Sequence, residues 1–148
     1  MMENNKFALV FGGCGRRSRG TVQKLINDNY TVVIVDDLSQ SKHPKDWDDY
    51  PNLWNNERLV FYEEDVVKFM NEENMFSLLN WHVVIQRAKM KSQDFVEEVT
   101  TNTIIDATFF RWINRLSQKP KVIIANQESQ LSRDLTRHLQ LPFDPTFP

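Results

Sequence analysis

Five short apolar runs punctuate the chain, separated by amphipathic or polar stretches. The first, Phe7-Ala8-Leu9-Val10-Phe11, ends in Gly12-Gly13 and reads as a strand buried on both faces. A helical stripe of Val22, Leu25 and Ile26 follows, with Lys24, Asn27 and Asp28 opposite. It predicts a helix capped at or just before Ser18 and running to about Asn29. Thr31 to Val35 is β-branched almost throughout and predicts a second strand, closed by Asp36-Asp37. Leu59-Val60-Phe61-Tyr62 predicts a third strand, and a helical pattern from Val66 to about 80 follows it. Val83-Val84-Ile85 predicts the fourth strand and Val122-Ile123-Ile124-Ala125 the fifth. Between them, the spacing predicts a long helix from about Phe95 to Leu116, ended by Lys119-Pro120. A short helix is expected from Ser132 to Leu141, then a Pro-punctuated tail over residues 141–148. Residues 38–57 form a polar loop whose length marks it as functional or mobile.

Strands that alternate with helices imply right-handed βαβ crossovers. The expected fold is α/β: a Rossmann-like parallel sheet of about five strands with helices on both faces. The 148 residues show no internal repeat or linker, so a single domain over 1–148 is expected. Ten Phe and four Trp supply core material and argue against long disorder. The net charge of −2 gives no global attraction for nucleic acid or an anionic membrane. One cysteine makes no internal disulfide, and three scattered histidines build no Cys/His zinc cage, so no metal is expected. No apolar run approaches a membrane span, and Met1 to Lys6 lacks a signal-peptide core. The expectation is a soluble, cytoplasmic protein.

All four glycines lie between Gly12 and Gly20, in the run Gly12-Gly13-Cys14-Gly15-Arg16-Arg17-Ser18-Arg19-Gly20. A glycine loop between a strand and a helix allows a tight turn and brings backbone N–H groups close to a diphosphate. Gly13 and Gly15 with Ser18 match the G-x-G-x-x-G pattern with the last glycine replaced; Gly12, Gly15 and Ser18 give a second frame. Asp36 lies 21 residues after Gly15 at the end of the second strand, where a carboxylate accepts hydrogen bonds from an adenosine ribose. It and Asp37 disfavour a 2′-phosphate, so NAD is the candidate cofactor ahead of NADP. Arg16, Arg17 and Arg19 crowd the positive end of a helix dipole, which a bound phosphate would turn from penalty to attraction. The alternative is that these side chains splay into solvent. A Rossmann-like domain with a vestigial nucleotide site also fits the pattern.

The glycine loop, Thr21-Val22 at the helix start and Asp36-Asp37-Leu38-Ser39 resemble extended short-chain dehydrogenases, UDP-glucose 4-epimerases above all. The resemblance spans about residues 6 to 128 and is specific over the first 40. It implies an adenine contact at Asp65, a fourth strand ending beside the cofactor at Gln86-Arg87-Ala88, and the family's helix asparagine near Asn102. It also implies a Tyr-x-x-x-Lys pair, which is not found: Tyr occurs only at 30, 50 and 62, none with Lys four residues later. Ala125-Asn126-Gln127 stands where the family carries serines, Ile105-Asp106 where Gly-Thr is expected, and a chain ending at 148 leaves no second lobe for a nucleotide-sugar. No catalytic residue is therefore assigned. The expected role is a non-catalytic nucleotide-binding or scaffold subunit. The alternatives are an NAD-dependent epimerase completed by another chain, or a structural protein.

Other features read as follows. Cys14 in the glycine loop fits packing better than a depressed thiol pKa. Asp46, Asp48 and Asp49 around Trp47 read as a solvated loop, and His43, His82 and His138 lie in separate segments. Arg87, Lys89 and Lys91 form a small basic patch, without a nucleic-acid-binding pattern to accompany it. Ile105, Phe109, Phe110, Trp112, Ile113 and Leu116 cover an arc of roughly 160°, wider than one-sided packing on a sheet needs. A homo-oligomer through residues 103–116 is expected, in line with the resembling family's helical-bundle dimer; folding back of Phe143 and Phe147 is the alternative.

Overall fold

The computed structural model describes residues 6–72 and 79–124. The strands are β1 (Lys6–Phe11), β2 (Tyr30–Asp36), β3 (Leu59–Glu63), β4 (Val83–Gln86) and β5 (Lys121–Ile124). The helices are α1 (Arg16–Asn27), α2 (Val66–Asn71) and α3 (Phe95–Arg115). Every pairing is parallel and the strand order is β3-β2-β1-β4-β5. This is the expected Rossmann-like sheet. Its order reverses at β1, so the crevice beyond the carboxyl ends of β1 and β4 is the topological switch point, where such sheets take their ligands. The expected short helix from Ser132, the tail with Phe143 and Phe147, Ala125-Asn126-Gln127 and His138 lie outside the described residues, as does part of the helical pattern after Asn71.

Alternation along the strands builds two cores. Ala8, Val10, Val32, Ile34, Val83 and Ile85 face α1, meeting Val22, Leu25 and Ile26. Leu9, Phe11, Val33, Val35, Val84 and Val122 face the other side, meeting Phe69 and Met70 of α2 and Phe109, Trp112 and Ile113 of α3. Phe11 sits edge-on to Phe69, Phe109 and Trp112, with centroids 5.8, 6.0 and 5.7 Å away. The six apolar residues from Ile105 to Leu116 are all buried inside this chain. Their wide arc is explained by α3 touching both the sheet and α2, which removes the argument for a second copy drawn from them. The exposed apolar residues of α3 are instead Phe95, Val96, Val99 and Ile104. Among the described residues no helix is long and apolar enough to cross a membrane.

Residues 38–57 are more ordered than a polar loop implies. Two single-turn 3-10 segments, Pro44–Asp46 and Leu53–Asn55, carry Trp47 and Leu53 into the α1-side core. The signal was present in the sequence as apolar residues spaced through the polar stretch.

One glycine is set by the backbone itself. Gly12 has φ +73°, and a Cβ there would lie 2.7 Å from the backbone of Ala88, just after β4. Gly12→Ala is expected to destabilise the fold by about 1–3 kcal/mol through backbone strain alone, with the Ala88 contact adding to it. Urea denaturation measures this; an unchanged midpoint would contradict the close approach.

Candidate functional site

The loop between β1 and α1 closes by hydrogen bonds of its own. Gly12 N–H donates to Val35 O at 2.8 Å, and the N–H groups of Ser18 and Arg19 donate to Gly15 O at 3.0 and 3.2 Å. Gly15, not Ser18, is the N-cap of α1, and it provides no side-chain cap. The cap, expected at Ser18 or just before it, thus falls three residues ahead of Ser18, which is itself buried within the first turn, where the pattern's last glycine would stand. Gly13 is buried against Ile34, 2.8 Å from where its Cβ would be. Gly15 has room for a Cβ, which would make ordinary contacts with Gly12 O at 3.6 Å and Ser18 Oγ at 3.9 Å.

Asp36 ties this loop to the next. It is 8% exposed. Its Oδ2 accepts from Cys14 N–H at 3.1 Å, and its Oδ1 accepts from Leu38 N–H at 2.9 Å and from Ser41 Oγ at 3.3 Å. Oδ2 has one donor here and retains room for a ligand hydroxyl. Asp37 is exposed and holds Ser39 through its backbone N–H and hydroxyl, at 3.0 and 2.7 Å. Asp65 caps α2, accepting from Lys68 N–H at 3.3 Å.

The three arginines do not act alike. Arg16 and Arg17 are exposed, whereas Arg19 is buried. Arg19 Nε donates to Cys14 O at 3.1 Å, its Nη1 bonds Asp49 Oδ1 at 3.0 Å, and its guanidinium lies 5.0 Å from the Trp47 ring centroid. Asp49 is thus a partner of the glycine loop rather than only a solvated acid, which corrects the reading of the acidic cluster. The Cys14 thiol is fully buried; that burial, with the Asp36 charge behind it, pushes its pKa well up, against the lowering effect of Arg19. It packs, as expected, and is no activated nucleophile.

A cleft of about 440 Å³ gathers Gly12, Gly15, Asp36, Asp37 and Asp65 with Gln40, Ser41, Thr101 and the segment Arg87 to Lys91. Gly13, Ser18, Arg16 and Arg17 do not line it. The patch of Arg87, Lys89 and Lys91 was considered in the sequence as a nucleic-acid surface; the structure places it in this cleft instead. Gln86 and Asn102 hold that wall, and both roles went unread in the sequence. Gln86 Oε1 accepts from Ala88 N–H, and its Nε2 donates to Asp106 Oδ1, each at 2.9 Å. Asn102 clamps the Met90 backbone, accepting from its N–H at 2.7 Å and donating to its carbonyl at 3.0 Å. Tyr30, Tyr50 and Tyr62 all lie outside the cleft lining. Among the described residues no group of three or more His, Cys, Asp or Glu is placed to hold a metal.

Two outcomes follow from this arrangement. Arg19→Ala should destabilise the fold by about 1–3 kcal/mol, since charged-group hydrogen bonds are lost and Cys14 O is left bare; it should also speed hydrogen exchange across residues 44–55. Unchanged exchange would contradict the strut. The Cys14 thiol should resist a disulfide reagent at pH 8 in the folded protein and react in denaturant; rapid native-state labelling would contradict its burial. Its stabilising effect is present below the unfolded thiol's pKa and is lost as pH rises beyond that value, because the unfolded chain ionises first.

No family model matches the chain, and comparison with curated proteins gave no match. Solved structures do match. The UDP-glucose 4-epimerase of Thermotoga maritima, solved with UDP-glucose, is 27% identical over 80% of this chain and 37% of its own, with a TM-score of 0.61. The Bifidobacterium longum UDP-glucose 4-epimerase in complex with NAD+ and UDP gives 22% identity, 80% and 36% coverage, and a TM-score of 0.65. The UDP-glucuronic acid 4-epimerase of Bacillus cereus, with NAD, gives 19% identity, 93% and 54% coverage, and a TM-score of 0.67. The chain spans about a third to a half of the length of these enzymes. Over the part that it spans, the chain is therefore similar in fold to these epimerases, with its five parallel strands in the order β3-β2-β1-β4-β5.

Proposed function

We propose that this chain binds a nucleotide, NAD being the candidate cofactor, and acts as a binding or scaffold subunit without performing the epimerase reaction by itself. One observation carries the reading: residues 12 to 65 that the sequence marks for a dinucleotide, namely Gly12, Gly15, Asp36, Asp37 and Asp65, converge on a single cleft at the switch point of the sheet. The NAD complexes of the structural neighbours support the same ligand. The tyrosines support the absence of turnover. An acid/base on a sugar hydroxyl must reach its proton within hydrogen-bond distance, and none of the three borders the cleft. In this arrangement Gly12 and Gly15 let the backbone approach the diphosphate. Asp36 Oδ2 and Asp37 meet ribose hydroxyls, and Asp65 lies toward the base. The second reading, an epimerase completed by another chain, rests on the portion of the neighbours that this chain does not span.

Calorimetry with NAD separates these readings. Heat with NAD and no turnover of a UDP-sugar is the expected result. Turnover by this chain alone would contradict the non-catalytic role, and no heat with NAD would leave a structural protein. Gly15→Val gives the control, because its Cβ meets only ordinary contacts at 3.6 Å or more: the variant should stay folded, its melting temperature lowered no further than a poorer N-cap explains, and lose at least about tenfold in NAD affinity, roughly one charge-assisted hydrogen bond.

A further inference from the structure

We propose that Arg87 is the phosphate-recognition residue of this cleft, and that the ligand class is a nucleoside diphosphate, recognised by its two phosphates rather than by a nicotinamide ring. The inference rests on the nucleotide reading above and narrows it.

The strand order divides the cleft by charge. Asp36, Asp37 and Asp65 follow β2 and β3 on one side of the glycine loop. Arg87, Lys89 and Lys91 follow β4 on the other. A ligand with hydroxyls at one end and anions at the other fits this polarity. Arg87 is fixed by its backbone, whose N–H donates to Phe11 O at 2.9 Å directly beside Gly12. Its side chain lines the cleft, and its Nε is buried with no hydrogen-bond partner. A buried, unsatisfied guanidinium nitrogen is costly unless something occupies it. Burial, and after it the charge of Arg17, lowers the Arg87 pKa, so the two cations sit within electrostatic reach of each other. An anion bound in the cleft against Arg87 offsets that repulsion. A planar guanidinium fork matches phosphate oxygens in geometry, which a lysine would not.

The test uses the full chain and ADP as the probe. Wild type should bind ADP by calorimetry, and Arg87→Leu should weaken it by about tenfold or more, as expected for a lost charged hydrogen bond. In the absence of nucleotide the same variant should melt no lower than wild type, because a buried like-charged group has been removed. A melting temperature that falls instead would assign Arg87 to the fold and overturn the proposal. Arg17→Ala, at an exposed position outside the cleft lining, should lower ADP affinity less than Arg87→Leu does. ADP affinity within twofold of wild type in Arg87→Leu would overturn the proposal. Binding of NAD but not ADP would overturn the diphosphate class and leave the nucleotide reading standing; binding of neither would overturn both.

Discussion

The crevice depends on one buried carboxylate. Asp36 closes β2 and spends its oxygens on three donors from two different loops: Cys14 in the glycine loop, and Leu38 and Ser41 after the strand. A carboxylate that is 8% exposed needs hydrogen-bond donors in place of its lost hydration. Here the holding donors are the very segments that shape the cleft. The same local economy appears across β1, where Gly12 admits the Ala88 backbone at a distance no side chain would allow. These two contacts set the glycine loop between β2 and β4. Arg19 then fastens the loop from the outside, stacking on Trp47 and pairing with Asp49.

The architecture was legible because buried parallel strands advertise themselves. Runs such as Val32 to Val35 are apolar on both faces, and each of the five expected strands falls within a residue of its observed bounds over the described chain. Gly12, Gly15 and Asp36 were legible for a related reason: a strand–glycine–helix junction followed by an acid is a local pattern. The cap of α1 was bounded only loosely, since the pattern suggests a cap at or just before Ser18 and the loop ends in a bare glycine at Gly15.

What the sequence hid is what depends on contact between distant segments. Nothing local says that Arg19 faces Trp47, 28 positions away, or that Arg87 shares a cleft with Asp36. The three arginines of the loop look equivalent in the sequence, yet one is a buried strut and two are exposed. The wide apolar arc of α3 was read as a surface for a partner because α2 is short and its packing partner cannot be inferred from periodicity. The enzymes that share this fold are roughly twice as long, so the sheet accounts for a cleft at its switch point and for little else of their chemistry.

The central claim is that this crevice receives a nucleotide at the carboxyl ends of β1, β2 and β4. Amide chemical shifts recorded during addition of NAD test it most directly. The account predicts that the shifts concentrate on residues 12–17, 36–41 and 87–91. Saturating NAD that moves none of these amides, or moves only those of the exposed face of α3, would contradict it.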